Sequence, residues 1–476
     1  MQYIIHGYEP ERLFAHFEEI SAIPRGSGNE AGIADHLVRF AQAHGLAHAR
    51  DALNNVFIRK EATPGFEGRP AVLLQGHTDM VCEQNAGTEH DFLHEGLDLE
   101  VENGWLRAKG TTLGADDGAA VAIMLTLLES DSTPHPALEC LFTTHEETGM
   151  DGALGFDYSR ITSRTLINLD SEAMGVATVS CAGGVTSTVT LPCQTSPCPG
   201  RAIRLSLTGL AGGHSGADIH LGRANAIRFL AQLLTDAGID DLRIVSIEGG
   251  SKTNAIPREC EAVIRTDAPD AEERLRAQFA RMKAALVPAD AGCSLSIEAC
   301  DAERAYAPDD AGRILKCLTQ MPCGVLSFTP DAPELVESSA NEGILKSDET
   351  GVSLTLMPRA NVDAKLDAII GQIDALASSL GGRVAHSERH PGWAYAPKSP
   401  VRDAYLACYR KLFGKEARAE AIHAGLECGI MSQRLPGLDA VSIGPDMVGI
   451  HTPDERLDLR SFADCCRLVE EMLKTL

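Results

Sequence analysis

A chain of 476 residues is longer than one hydrophobic core normally organises, which calls for two domains. Apolar residues at 44% and charged residues at 23% exclude a wholly disordered or collagen-like polypeptide. A net charge of −25 repels phosphate backbones and anionic lipid, so neither nucleic acid nor a membrane surface is an expected partner.

No basic segment leads into an apolar run at the start, and no stretch of about 18 uncharged apolar residues occurs, so the expected compartment is the cytosol. Of the 14 cysteines, Cys140, Cys181, Cys260 and Cys408 sit in apolar surroundings that suit reduced core thiols.

Residues 32 to 185 alternate helical and strand patterns: a helix near 31–44, an apolar run at 71–75, a helix over 118–130, and strands at 137–144 and 165–169. Such alternation predicts a mostly parallel α/β sheet, whose catalytic groups gather where strands end in loops. From about 200 the order becomes strand 202–209, helix 224–238, strands 242–249 and 259–267, helix 271–287 and strand 293–300, the split βαβ of ferredoxin-like domains. A helix near 310–320, apolar runs at 324–328 and 352–357, a helix over 361–380 and a strand near 382–386 could form a second, degenerate unit. After a Pro- and Gly-containing stretch the α/β style resumes with helix 400–413, strand 438–444 and helix 460–474. The reading is a catalytic α/β domain in two parts, 1–190 and 393–476, with an inserted α+β lid over 191–392.

Five acidic or imidazole clusters punctuate the α/β part: GHTDM (His77, Asp79), LGADDG (Asp116, Asp117), THEETG (Glu146, Glu147), NLDSE (Asp170) and GIHTPDE (His451). Each alone reads as a capped strand or helix end. Together they would repel one another across one sheet edge, and a pair of divalent cations is the usual compensator. Two His and at least three carboxylates suit zinc, manganese or cobalt, whereas magnesium takes fewer imidazoles. Two such ions about 3.5–4 Å apart can share a carboxylate and activate a water, which points to hydrolysis. His145-Glu146-Glu147 is not HExxH, since position 149 is Gly, which disfavours a helical single-zinc protease.

The series GHTDM, GADDG, HEETG and NLDSE, with GGHSG inside the insert and HAGLECG and IHTPDE near the end, resembles the PepD-type aminoacyl-histidine dipeptidases, also called Xaa-His or cytosol non-specific dipeptidases. These belong to a dinuclear metallopeptidase group with aminoacylase, carnosinases and glutamate carboxypeptidases. The resemblance implies that Asp116 bridges two metals, that His77 and Asp170 complete one, and that Glu147 and His451 complete the other. Glu146 becomes the general base, and Asp79 fixes the His77 tautomer. It also implies a cis peptide bond between Asp116 and Asp117. In the insert, His214 resembles the lid histidine that stabilises the oxyanion. Asn254 and Arg359 match positions that hold the substrate's carbonyl and C-terminal carboxylate, although MPRA at 357–360 departs from the expected Arg-Ser order. Glu427, by charge, is a candidate for meeting the substrate's free amine, with a structural role as the alternative.

The leading expectation is a cytosolic dipeptidase hydrolysing Xaa-His dipeptides such as β-alanyl-histidine through a metal-bridging hydroxide, with two ions, zinc foremost. An acylase of N-acyl amino acids and a non-catalytic metal-binding relative are the alternatives. A two-metal phosphoesterase is opposed by the scarcity of basic residues around the motifs. The long lid predicts a monomer-competent site with His214 supplied in cis; a homodimer remains compatible with it.

Overall fold

The computed structural model describes residues 3–198, 201–330, 332–387 and 389–476. The chain forms two compact units: 1–180 with 396–421 and 427–476, and 181–395 with 422–426. These boundaries differ from the expected ones. Residues 181–190, 393–395 and 422–426 join the second unit, because Cys181 and Trp393 exchange backbone hydrogen bonds (3.0 and 2.9 Å) and Ala182 N–H donates to Ala424 O at 3.0 Å.

In the first unit an eight-stranded sheet runs in the order Ala47–Arg50, Val56–Lys60, Leu138–Thr143, Val72–His77, Thr165–Asn168, Asp439–Ser442, Val176–Cys181, Arg418–Ile422. Its central strands, from Leu138–Thr143 to Asp439–Ser442, are parallel, and antiparallel strands flank them. Strands Val72–His77 and Leu138–Thr143 are buried at every position, as sheet strands covered on both faces must be. Because the central strands are parallel, the loops after His77, Thr143 and Asn168 leave from one edge. Helix Ala115–Glu129 packs beside them, but Asp116 and Asp117 are not helical, so regular helix begins near Gly118, where the sequence pattern put it. The sequence reading passed over the N-terminal helix Glu11–Ser21, whose Leu13, Phe14, Phe17 and Ile20 recur at helical spacing and are buried.

In the second unit a further eight-stranded sheet runs Ser294–Cys300, Arg201–Thr208, Cys260–Thr266, Arg243–Gly249, Glu342–Asp348, Gly351–Leu356, Ser187–Pro192, Arg383–His386. The first four strands, with helices Ala226–Asp236 and Ala271–Lys283, give the predicted β-α-β-β-α-β unit with ferredoxin-like strand order. The last four repeat that order in mirror sequence, with helices Pro308–Gln320 and Asp363–Ser379, so the degenerate second unit is present. Its first strand, Ser187–Pro192, precedes the whole of the first β-α-β-β-α-β half, which is therefore nested inside the second half. The halves meet edge to edge where Gly249 faces Leu345 and Ile247 N–H donates to Ser347 Oγ at 2.9 Å. Leu205, Ile227, Leu230, Ile264, Leu354 and Ile373 belong to one shared core.

Candidate metal centre and lid cluster

The edge of the parallel sheet in the first unit collects the predicted groups. His77 ends its strand, and Asp79, Glu146, Glu147 and Asp170 lie in the loops just after theirs. Asp116 lies at the non-helical start of the segment Ala115–Glu129, joined to Asp117 by a cis peptide bond, and His451 sits in a loop at φ 61°. Asp116 stands between two sets of donors. Its Oδ1 lies 3.0 Å from His77 Nε2 and its Oδ2 lies 3.2 Å from His451 Nε2, which is also 3.0 Å from Glu147 Oε1. The ligating atoms of His77, Asp116 and Asp170 fall within 4.8 Å of one another, as do those of Asp116, Glu147 and His451. A third group, His77 with Glu146 and Glu147, meets the same limit.

The electrostatics fit cations at this spot. Burial raises the Glu146 carboxyl to about 8, with Glu427, Glu147 and Asp116 adding to the shift and His77 opposing it. Burial, then Asp116, pushes Asp170 well above the usual carboxylate range. Hydrogen bonds to Asp116 and Glu147 lift His451 to about 10. Crowded carboxylates that borrow protons from imidazoles form a donor set short of positive charge, and divalent metal ions with N/O ligands supply it.

Neighbouring side chains hold these donors in place. Asp79 is buried, and its carboxylate lies 3.5 Å from His77 Nδ1 while accepting from Ser27 Oγ (2.8 Å) and the Glu146 and Glu147 N–H groups (3.1 and 3.3 Å). Burial opposes ionisation of Asp79, but these bonds, His77 foremost, hold it at about 2. One short loop thus fixes an imidazole and both glutamates, a wider task than tautomer selection. Sequence reasoning missed two further clamps. The Glu455 carboxylate accepts from Leu113, Gly114, Ala115 and Asp116 N–H at 2.7, 2.9, 2.8 and 3.4 Å. Fully buried Arg25 donates to Thr78 O, Asp79 O and Gly114 O at 3.0, 3.3 and 2.5 Å. Glu455 lies inside the recognised IHTPDE string, and a carboxylate four residues after His451 was the available signal; Arg25 carries none. Asp117 accepts from His77 N–H at 3.2 Å and caps Ala120 N–H at 3.3 Å.

Glu427 is fully buried in this unit. Its Oε2 accepts from Thr143 Oγ1 at 2.7 Å and from Gln75 Nε2, whose amide oxygen accepts from Asn168 at 2.6 Å. Burial raises Glu427 to about 8, and its Oε1 is sealed without a partner among the described residues. Its contacts are thus with the ends of strands that carry the candidate metal ligands.

The remaining predicted residues belong to the second unit. His214 lies on the two-residue strand Gly213–His214, paired with Ala255–Ile256. Asn254 is exposed, and its backbone oxygen accepts from Ser215 N–H at 2.8 Å. Arg359, 4% exposed, sits on a strand paired with Ala332–Ala340 and Gly183–Gly184; its guanidinium lies 3.3 Å from Met357 Sδ, and its Nε has no partner among the described residues. Burial lowers it to about 10, and among the described residues no carboxylate pairs with it. Around it stand His423, with Nε2 2.8 Å from Ser339 Oγ, and His390; neither was singled out by sequence.

The family model described as Peptidase family M20/M25/M40 matches residues 73–475. The cytosol non-specific dipeptidase of Escherichia coli is 35% identical over 472 residues, covering 98% of this chain and 97% of its own. Aminoacylhistidine dipeptidase from Vibrio alginolyticus, a solved structure, gives a TM-score of 0.94 at 33% identity, over 98% of this chain and 97% of that one. Aminopeptidase PepT from Bacillus cereus shares the fold, with a TM-score of 0.56 at 17% identity over 98% of each chain.

Proposed function

The chain belongs to peptidase family M20/M25/M40, and on that premise we propose that it is a cytosolic dipeptidase cleaving Xaa-His and related dipeptides such as β-alanyl-histidine. Dipeptide hydrolysis is the activity that relatives matching nearly the whole chain carry in their names. The observation that supports the reading most directly is Asp116, whose two oxygens face two separate sets of donors. Asp116, His77 and Asp170 would hold one divalent ion, and Asp116, Glu147 and His451 the other, zinc being the best match to two imidazoles and carboxylates. Ions bound there supply Lewis acidity toward the scissile carbonyl and lower the pKa of a water.

The side chains divide the remaining work. Glu146, whose backbone is held by Asp79, takes the proton from the attacking water and returns it to the leaving nitrogen. Asp79 keeps His77 and both glutamates aimed. His214 donates to the oxygen that gains charge, and Arg359 with Asn254 holds the substrate's carboxylate and carbonyl. Glu427 supports the strand ends through Thr143 and Gln75.

Purified, metal-replete protein assayed on β-alanyl-histidine and on an N-acetylated dipeptide tests the reading. Cleavage of the free-amine substrate alone is expected; cleavage of only the blocked one would make the chain an acylase. Glu146→Ala should keep bound metal by elemental analysis while losing hydrolysis, and retained turnover would remove Glu146 from its role.

A further inference from the structure

The turn that carries His214 is built around one ring nitrogen. Backbone N–H groups of Gly216 and Ala217 both point at His214 Nδ1, at 3.2 and 2.9 Å. A nitrogen that accepts two hydrogen bonds cannot carry a proton of its own, so the neutral ring must hold its proton on Nε2. The turn is tied at every corner. His214 N–H donates to Asp218 Oδ2 at 2.9 Å, Asp218 N–H returns to His214 O at 3.0 Å, and Ser215 N–H donates to Asn254 O at 2.8 Å. Gly216 is pressed against the His423 backbone: a Cβ there would lie 2.1 Å from His423 O and 3.1 Å from His214 Cε1. Only glycine fits between the two histidines while still presenting its N–H to Nδ1.

We infer that Gly216, backed by His423, is a positioning residue that locks His214 as the Nε2–H tautomer, so that His214 serves as a neutral hydrogen-bond donor and never as a proton acceptor. The charged and titratable surroundings agree. Burial, then Arg359, pushes His214 below its ordinary range, with Asp218 opposing. Asp218 spends its carboxylate on the His214 backbone and, 3.7 Å away, on Arg223, instead of on the ring. His423, the other imidazole beside the turn, is itself held neutral by burial and by Arg359 and His214. A ring blocked at Nδ1 and disfavoured as imidazolium has one chemical use left, donation from Nε2, which is what a developing oxyanion requires.

The catalytic half of this inference rests on the dipeptidase reading; the tautomer does not, and the experiment separates them. Protein labelled with 15N in the histidine rings, read by NMR near neutral pH and assigned by subtracting His214→Gln, should show His214 with a protonated Nε2 and a bare Nδ1. A protonated Nδ1, or an imidazolium, would overturn the lock whether or not the chain hydrolyses anything. Gly216→Ala should let the Nδ1–H form appear in the same spectrum; an unchanged signal from folded Gly216→Ala would remove Gly216 from the device. In turnover, His214→Ala should lose about 10²–10³-fold in kcat, the size of one missing oxyanion donor. His214→Gln, which keeps a donor near the Nε2 position, should recover at least part of that loss with KM little changed. Equal losses in both variants would overturn the donor role.

Discussion

Acidification should weaken the second unit by about 4 kcal/mol between about pH 7.5 and about pH 5 through two imidazoles alone. Burial, reinforced by Arg359 and His214, holds His423 at about 3, and burial with Arg359 and Arg389 holds His390 at about 4, against an ordinary 6.5. These are depressed histidines, so the unfolded chain binds protons that the folded chain refuses. Stability is therefore intact above the unfolded value, begins to fall as the pH drops through about 6.5, and goes on falling until the folded values are reached. At about pH 5 the gap for each is about 1.5 units, and at 1.36 kcal/mol per unit this is about 2 kcal/mol apiece. The chain's two tryptophans allow the second unit to be followed alone: in a Trp105→Phe background, urea unfolding reports through buried Trp393. A chelator in both buffers removes metal release from the comparison. His423→Gln, which can keep the Ser339 contact, should shrink the pH-dependent loss by about 2 kcal/mol. An undiminished loss in that variant would refute the assignment of a buried neutral imidazole.

Glu455→Gln should weaken metal retention in chelator competition at least tenfold and lower thermal stability, since four N–H groups of the Asp116 segment lose a charged acceptor worth about 1.5–3 kcal/mol per bond. Glu427→Gln should leave the preference for free-amine over acetylated dipeptides unchanged, because the carboxyl is sealed among Thr143 and Gln75; a lost preference would restore the amine-binding role. Mixing His214→Ala with Glu146→Ala protein under conditions of subunit exchange should recover no activity, whereas recovery would mean that His214 is donated in trans.

The fold was legible where periodicity was strong and silent where it was not. The paired ferredoxin-like halves emerged because helices such as Ala226–Asp236 and Pro308–Gln320 carry apolar stripes, and strands such as Arg201–Thr208 alternate buried and exposed residues. Their nesting was hidden: Ser187–Pro192 pairs with Gly351–Leu356, more than 150 residues away, and nothing local marks that partner. The antiparallel strands Ala47–Arg50, at the sheet edge, and Val56–Lys60, beside it, are short and partly polar, so no clear period marks them.

The same asymmetry governs the candidate site. Ligand-type residues announce themselves, because His, Asp and Glu at successive strand ends have no folding task that explains their number. The residues that aim them do not, because they act through backbone groups. Glu455 binds four amides, Arg25 binds three carbonyls, and the two donors that fix His214 are the main chains of Gly216 and Ala217. A backbone donor has no side-chain signature, so its presence shows only as a constraint on what may stand there: glycine at 216, where a Cβ would strike His423 O. The chemistry of His214 is thus written less in the histidine than in the small residue two places after it, and substitution at Gly216 should change the ring's protonation without touching any group that reacts.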